Sequence, residues 1–305
     1  MAASATLHAD AKTGGPVAHH FDNLRQQQAT VRFGMWMFLV TEVMFFGGVM
    51  CAYTAYRMWY PNEFAAGSAA LNVGIATVNT FLLLTSSLAC TLAVGACFHK
   101  DRGGIIKWLL VTIVLGAAFL GLKAREYHLD YQEGLIPGPT AAVQYSAGGV
   151  RMNKEQAFVE SLKTVLHHNG FEYAHSGPYS PQPSDPGYAD HERKLEEARK
   201  PGSKVREVNL VRVQLFFMFY YSMTGLHVLH MIIGLGLLTW QVILARQGFF
   251  DYPERYVYIE VLSLYWHLVD LVWVFLLPLL YLAGPHNVGQ VGKGLAQAFG
   301  MAAEH

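Results

Sequence analysis

The sequence predicts an all-α, polytopic membrane protein with five transmembrane helices and a polar insertion between the third and the fourth. Composition is the first observation: 52% of the 305 residues are hydrophobic and only 14% are charged. Mean hydropathy is +0.23. Run length is the second observation, because crossing a hydrocarbon core takes roughly 20 apolar helical residues and five segments reach or approach that length. A soluble enzyme does not fit this pattern.

The predicted spans form a block of three helices and a block of two. They cover residues 33–58, 69–98, 105–127, 209–245 and 256–283. One acidic residue interrupts the first span and one interrupts the last, namely Glu42 and Asp270. We therefore predict a cytoplasmic N-terminal tail, a three-helix block, a periplasmic insertion, a two-helix block and a C-terminal tail, at residues 1–32, 33–128, 129–208, 209–284 and 285–305.

Lys and Arg in the short loops predict the orientation, because loops retained in the cytoplasm carry an excess of both. Eight fall in the N-terminal tail and in the second-to-third and fourth-to-fifth loops, whereas only Arg57 and Lys293 fall opposite. The bias predicts a cytoplasmic N-terminus and an outer C-terminus. The first 32 residues lack the apolar core of a secretory signal, so we expect the first span to act as an uncleaved insertion signal.

The insertion is polar and rich in proline. It holds seven of the twelve prolines, including the run "PYSPQPSDP" at residues 178–186. Asn153 and Gln156 could form a capping box for a helix that begins before Phe158. A second helix is predicted over residues 189–200, "ADHERKLEEARK", as a solvated charged segment. Two interpretations remain open: a folded cap or docking surface, and a largely disordered region.

Ionisable residues at membrane depth are costly and usually functional. Glu42 falls near the middle of the first span. It is either a protonated acid bonded to a neighbouring helix or a site for protons or lipid headgroups. In both cases it is expected to face protein, because only a partner offsets an insertion cost of roughly 2.5 to 3.5 kcal/mol.

Two further polar pairs share helix faces at three-residue spacing: His227 with His230, and His267 with Asp270. Three interpretations are open, namely interhelical hydrogen bonds from His to Asp and from His to Glu, contact with lipid headgroups, and metal ligation. The spacing does not match stacked bis-histidine haems, and covalent c-type haem is excluded because no C-x-x-C-H motif occurs. The three cysteines all lie within spans and are interpreted as buried apolar residues.

Small residues predict close helix packing at Gly47-Gly48, at Gly116 to Ala118 and at Gly234-x-Gly236. Up to this point the residues are compatible with a transporter or with an accessory subunit of a larger complex. Paired, proline-interrupted helices, which are typical of transporters, do not occur, and this favours the accessory subunit.

Four segments, in order, resemble subunit III of the haem-copper oxidases. "WMFLVTEVMFFGG" is similar to the helix with the family's intramembrane glutamate, here Glu42, and "LGLKAREYHLD" to the helix end with its Glu-Tyr pair, here Glu126 and Tyr127. "GLHVLHMIIG" resembles the His-containing penultimate helix. "LYWHLVDLVWVFLLPLLYL" resembles the final helix and places Trp266 at a motif position. The resemblance covers about residues 33–128 and 213–284.

The resemblance implies a non-catalytic subunit of a terminal oxidase in the respiratory chain of a bacterial inner membrane. It implies that this chain holds no redox centre or metal, that haems and copper lie in partner subunits I and II, and that no nucleic acid is bound. The family subunit packs on the catalytic subunit, binds phospholipid in a cleft and supports proton uptake and catalytic lifetime. Glu42 would be the cleft carboxylate, and His227, His230, His267 and Asp270 a polar helix-packing seam. No roles follow for Trp266, Glu126 and Tyr127.

The chain departs from the family pattern at several places. It resembles the shorter, five-helix bacterial members, carries Val228 where the family has Gly between the histidines, and has Arg125 before Glu126. The insertion at 129–208 lies on the face where cytochrome c approaches such oxidases, so we expect it to contact cytochrome c or another respiratory complex. A quinol oxidase, a nitric-oxide-reductase-associated relative and a stand-alone proton-coupled transporter remain as alternatives.

Overall fold

The computed structural model describes residues 21, 23–132, 135, 145–147, 150–152, 158–159, 162, 165–167, 169–174, 183, 188–203, 205–252 and 255–284. Five of its helices are long and apolar enough to cross a membrane. They are α1 (Leu24–Trp59), α3 (Val73–Phe98), α4 (Arg102–Gln132), α6 (Leu210–Arg246) and α7 (Val257–Leu276). The prediction of an all-α, polytopic membrane protein is confirmed.

Two of the long helices extend well beyond their predicted ends. α1 begins at Leu24 and not at residue 33, because the side chain of Asn23 accepts a hydrogen bond from the backbone N–H of Gln26 at 2.9 Å and caps the helix. α4 runs from Arg102 to Gln132, beyond the predicted 105–127. Hydropathy marks the apolar part of a helix, whereas helical backbone continues through polar residues. The tails at 1–20 and 285–305 lie outside the described residues.

A short helix, α2 (Pro61–Ala69), connects the first two long helices and is buried along most of its length. Pro61 occupies its first turn, where the missing N–H has no intrahelical partner to lose. Gly67 packs directly on the ring of Phe216, and Gly284 on the backbone of Ala65. A side chain at either glycine would overlap these atoms.

α7 ends in a π-helical turn, Leu277–Tyr281, that contains Pro278. Proline lacks the N–H that continues an α-helix, and such turns re-aim the side chains that follow. The Tyr53 hydroxyl donates to the carbonyl of Leu279 in this turn at 2.8 Å. The turn places the buried Tyr281 ring beside that of Tyr220, with 6.0 Å between centroids.

The molecule divides into two compact units. One comprises residues up to Gly48, Phe81–Phe119 and Val228–Val272, and the other comprises Val49–Thr80, Leu120–His227 and Trp273 onwards. In the first unit, the Trp266 ring packs on Gly116 and Gly234, where an added Cβ would come within 2.9 and 3.0 Å of it. The close packing predicted at these two glycines is confirmed. The same prediction is wrong at Gly47-Gly48, where an added Cβ would meet no atom within 4 Å because this part of α1 is largely exposed.

In the second unit, the described part of the insertion is folded. Strands β1 (Tyr145–Ala147) and β2 (Val150–Met152) pair antiparallel, and β3 (Phe171–Tyr173) and β4 (Arg206–Val208) pair parallel. Helix α5 (Tyr188–Ala198) packs on the β3–β4 pair, and β4 contacts α2. The predicted charged helix therefore exists, whereas the predicted capping box at Asn153 and Gln156 lies outside the described residues.

Candidate functional site

Glu42 and His230 meet across α1 and α6 in the first unit. The Glu42 Oε2 atom lies 3.0 Å from His230 Nε2, within hydrogen-bond distance. The two side chains are 17% and 15% exposed, so the pair is largely enclosed but remains open on one side. The structure thus confirms the interpretation of an interhelical hydrogen bond from His to Glu, and it identifies the partners as His230 and Glu42.

The imidazole of His230 is held from two further directions. The Phe46 ring meets it edge-on at 5.1 Å between centroids. The Tyr265 hydroxyl donates to the backbone carbonyl of His230 at 3.1 Å, which ties α7 to the same turn of α6. The residues after Glu42 on α1, Val43, Met44 and Phe45, are exposed and apolar, so α1 presents a lipid-compatible surface next to Glu42 in the chain.

His267 bonds to α3 and to its own helix. Its Nε2 lies 3.1 Å from the Thr91 hydroxyl. Its Nδ1 approaches both the hydroxyl and the backbone carbonyl of Ser263, one turn earlier in α7. Because a carbonyl only accepts, Nδ1 carries the proton, and the imidazole bridges α7 to α3.

Asp270 is buried at 4% exposure but does not bond to a histidine among the described residues. The Ser87 hydroxyl on α3 faces its carboxyl. The expected hydrogen bond between Asp270 and His267 or a neighbouring histidine is therefore wrong. Residues three apart on one helix share a face, but here each side chain turns to a different part of α3.

His227 and Trp273 stack in the second unit, with ring centroids 5.2 Å apart. The Trp273 indole N–H donates to the Thr80 hydroxyl at 3.1 Å. In the first unit, the indole N–H of Trp266 likewise donates to the Ser86 hydroxyl at 3.1 Å. Both tryptophans of α7 thus combine close packing with a hydrogen bond to α3.

A buried ionic cluster lies in the second unit around Glu126, a residue for which no role was predicted. The Lys123 ammonium donates to Glu126 Oε2 at 2.9 Å and to the Tyr281 hydroxyl at 2.8 Å. The other carboxylate oxygen accepts from the hydroxyls of Tyr220 and Tyr281 at 2.9 and 2.8 Å. Lys123 and Glu126 are 1% and 3% exposed, so both charges are enclosed and paired.

Aromatic rings surround the ammonium group. Lys123 Nζ lies between 5.1 and 5.5 Å from the ring centroids of Tyr127, Tyr220, Trp273 and Tyr281. Tyr127 itself hydrogen-bonds Thr224 on α6 at 2.6 Å. Lys123 was not among the predicted site residues, since a charge at the end of an apolar run looks like the end of the span. The available signal was its three-residue spacing from Glu126.

Within the described ranges, no group of three or more His, Cys, Asp and Glu side chains is arranged to hold a metal ion. Cys90 and Cys97 are buried as predicted, whereas Cys51 is exposed on α1, so the prediction for Cys51 is wrong. The polar groups at membrane depth contact hydroxyls, rings and each other. What the arrangement can do chemically is hold a proton or a polar lipid group at the open side of the Glu42–His230 pair.

Comparison with known proteins identifies the family. The model of the cytochrome c oxidase subunit III family matches residues 10–133 and 212–285, which are the two helix blocks without most of the insertion. Subunit 3 of the Pseudomonas aeruginosa cytochrome bo(3) ubiquinol oxidase is 31% identical over 41% of this chain and 59% of that protein. Cytochrome c oxidase subunit 3 of Thermostichus vulcanus is 22% identical over 82% of this chain and 85% of that protein.

Quinol oxidase subunit 3 of Bacillus subtilis is 23% identical over 82% of this chain and 86% of that protein. Relatives named for cytochrome c and for quinol thus match at similar levels. Because the family model covers both helix blocks, the chain belongs to the cytochrome c oxidase subunit III family.

Proposed function

We propose that this chain is the non-catalytic membrane subunit III of a haem-copper terminal oxidase in a bacterial inner membrane. It packs on the catalytic subunit, and the haems and copper belong to subunits I and II. The observation that carries the proposal is the family match over both helix blocks. The charge bias of the short loops supports a cytoplasmic N-terminus and an outer C-terminus.

The proposed site for lipid binding and proton support is the Glu42–His230 pair. A carboxyl and an imidazole at 3.0 Å can share a proton, and the pair is 15–17% exposed. The apolar residues that follow Glu42 provide a surface for acyl chains, and the open side of the pair can meet a polar headgroup. Such a group would hold phospholipid against the protein without any redox chemistry.

The Glu42→Gln variant of the assembled oxidase tests this role. We expect unchanged haem absorption but weaker phospholipid retention or a shorter catalytic lifetime. Replacing a charged hydrogen bond by a neutral one costs about 1 kcal/mol, which corresponds to about a fivefold loss of affinity. Bound phospholipid and turnovers before inactivation are the measurements.

Glu260→Gln is the matched control, because Glu260 on α7 also binds α1, through Arg32 at 2.8 Å. This variant removes the same charge from a second contact between α1 and another helix, away from the Glu42–His230 pair. If both variants lose lipid equally, the effect is a general loosening of α1. Altered haem absorbance in Glu42→Gln with normal lipid content would contradict the proposal.

Purification distinguishes two alternative functions from the proposed one. Relatives named for ubiquinol and quinol favour a quinol oxidase as the alternative complex. Either oxidase subunit copurifies with haem-bearing chains, and the partner subunit II then identifies the electron donor. A stand-alone proton-coupled transporter would purify without Soret absorption. We further propose that the cap at 129–208 contacts cytochrome c or another respiratory complex.

A further inference from the structure

The cap contains a buried carboxylate between two imidazoles. Glu172, on β3, is 1% exposed. Its Oε1 lies 2.6 Å from Nδ1 of His191 on α5, and its Oε2 lies 3.0 Å from Nδ1 of His167. The Tyr173 ring covers His191 at 4.4 Å between centroids. His191 is 8% exposed, whereas the His167 side chain is 32% exposed and offers protons a route to solvent.

A second ion pair joins the same two elements. β3 and β4 are in register, with Glu172 beside Glu207, so both carboxylates lie on one face of the strand pair. α5 covers this face with His191 and Leu195, and just beyond its end Arg199 binds Glu207 at 3.0 and 3.2 Å. α5 is therefore held to the strands by one contact through a histidine and one through an arginine.

The two contacts differ in their response to pH. The pKa of Arg199 is raised, first by its hydrogen bond to Glu207, so this contact stays charged in any physiological medium. At the start of α5, the pKa of Asp190 is lowered, first by a hydrogen bond from Lys194, so Asp190 also stays charged. Histidine is the side chain that changes charge between about pH 5 and 8.

We propose that His167, Glu172 and His191 form an acid-strengthened latch that fastens α5 to the β3–β4 pair. Protonating either imidazole places a positive charge within 3.0 Å of the Glu172 carboxylate, an attraction that a neutral ring does not provide. The added proton therefore stabilises the closed cap. The Arg199–Glu207 pair holds the same elements together at all pH values.

The latch acts on the part of the cap that meets the membrane block. β4 contacts α2 and leads into α6 one residue later, so α5 packs on the strand that anchors the cap. Because the cap is predicted to lie outside the membrane, the latch would tighten when the outer compartment becomes acidic. This inference does not depend on the identity of the electron donor.

Amide hydrogen exchange of the full chain in its purified complex tests the latch. Protection factors, corrected for intrinsic exchange, are compared at about pH 5.5 and 7.5, on either side of the ordinary histidine range. We expect α5 amides to be more protected at the lower pH, by at most about tenfold per pH unit for one proton. Amides of α6 provide the internal reference and should not change.

Two variants separate the latch from general cap stability. Glu172→Gln should abolish the difference between the two pH values. His191→Gln, which keeps an amide donor, should reduce it, because His167 remains beside the carboxylate. Arg199→Gln is the matched control: it should lower protection at both pH values but preserve the difference. Equal or greater protection of α5 at the higher pH in the unaltered chain would overturn the proposal, as would a preserved difference in both latch variants.

Discussion

The Lys123–Glu126 pair permits the sharpest quantitative prediction, because both charges are enclosed and hydrogen-bonded to identified partners. Removing Lys123 as Lys123→Met leaves the Glu126 carboxylate with two phenol donors and, among the described residues, no ion-pair partner. Removing the charge of the acid as Glu126→Gln leaves the ammonium with two phenol oxygens and four aromatic rings. Each single variant therefore retains one uncompensated buried charge.

The magnitudes follow from the cost of such a charge. Breaking a buried ion pair at one partner destabilises by about 3–5 kcal/mol. The Lys123→Met/Glu126→Gln double variant has no charge left, and the Gln oxygen still accepts from the tyrosines, so we expect it to lose only about 1–3 kcal/mol. The sum of the two single effects then exceeds the double effect by at least about 3 kcal/mol, at the upper end of the couplings between residues in direct contact.

The assay is unfolding of the chain in mixed micelles with increasing SDS, followed by tryptophan fluorescence. Trp273, one of six tryptophans that contribute to the signal, lies 5.1 Å from the ammonium. Lys107→Met is the matched control, because Lys107 is on the same helix and lies 5.2 Å from the Trp108 ring but is exposed. Additivity of the two single variants within about 0.5 kcal/mol would refute the reasoning.

Two further predictions concern packing and helix ends. Gly116→Ala should destabilise the protein by about 1–3 kcal/mol, because the added Cβ would overlap with Trp266. Gly47→Ala is the control: no atom lies within 4 Å of its added Cβ, so it should be neutral or stabilising. Thermal unfolding in detergent measures both effects. Arg102→Gln should lower the free energy of unfolding by about 1 kcal/mol, because Arg102 donates to the last carbonyls of α6. Lys100→Gln, at an exposed position, is its control in the same assay. Equal unfolding midpoints for the two variants would contradict the capping role of Arg102.

Much of the fold could be predicted because each membrane helix contains a long apolar run. The helix ends could not, since they depend on local bonds such as the Asn23 cap, which hydropathy does not register. The cap was ambiguous for a related reason. Its stability comes from pairings between distant segments, such as Phe171 with Arg206, and these leave no periodic signal in the sequence.

The candidate site could be predicted residue by residue but not as a set of contacts. Glu42 and His230 were flagged because ionisable groups at membrane depth require partners. Their pairing depends on the relative register of α1 and α6, which spacing along one helix does not contain. The same limit applies to Asp270. Its spacing from His267 predicts a shared face of the last helix, but it does not reveal which side chain of a neighbouring helix lies opposite, and the histidine partner expected there is wrong.

Enclosure distinguishes the two acids at the centre of these predictions. Glu126 is 3% exposed, its oxygens accept from an ammonium and two phenols, and a ligand or water could reach it only by displacing them. Among the described residues, Glu42 bonds to His230, and its side chain remains 17% exposed. A partly exposed carboxyl can exchange a proton or hold a headgroup, whereas an enclosed one cannot do so without displacing its partners. We therefore expect substitution of Glu126 to affect stability, and substitution of Glu42 to affect lipid and turnover.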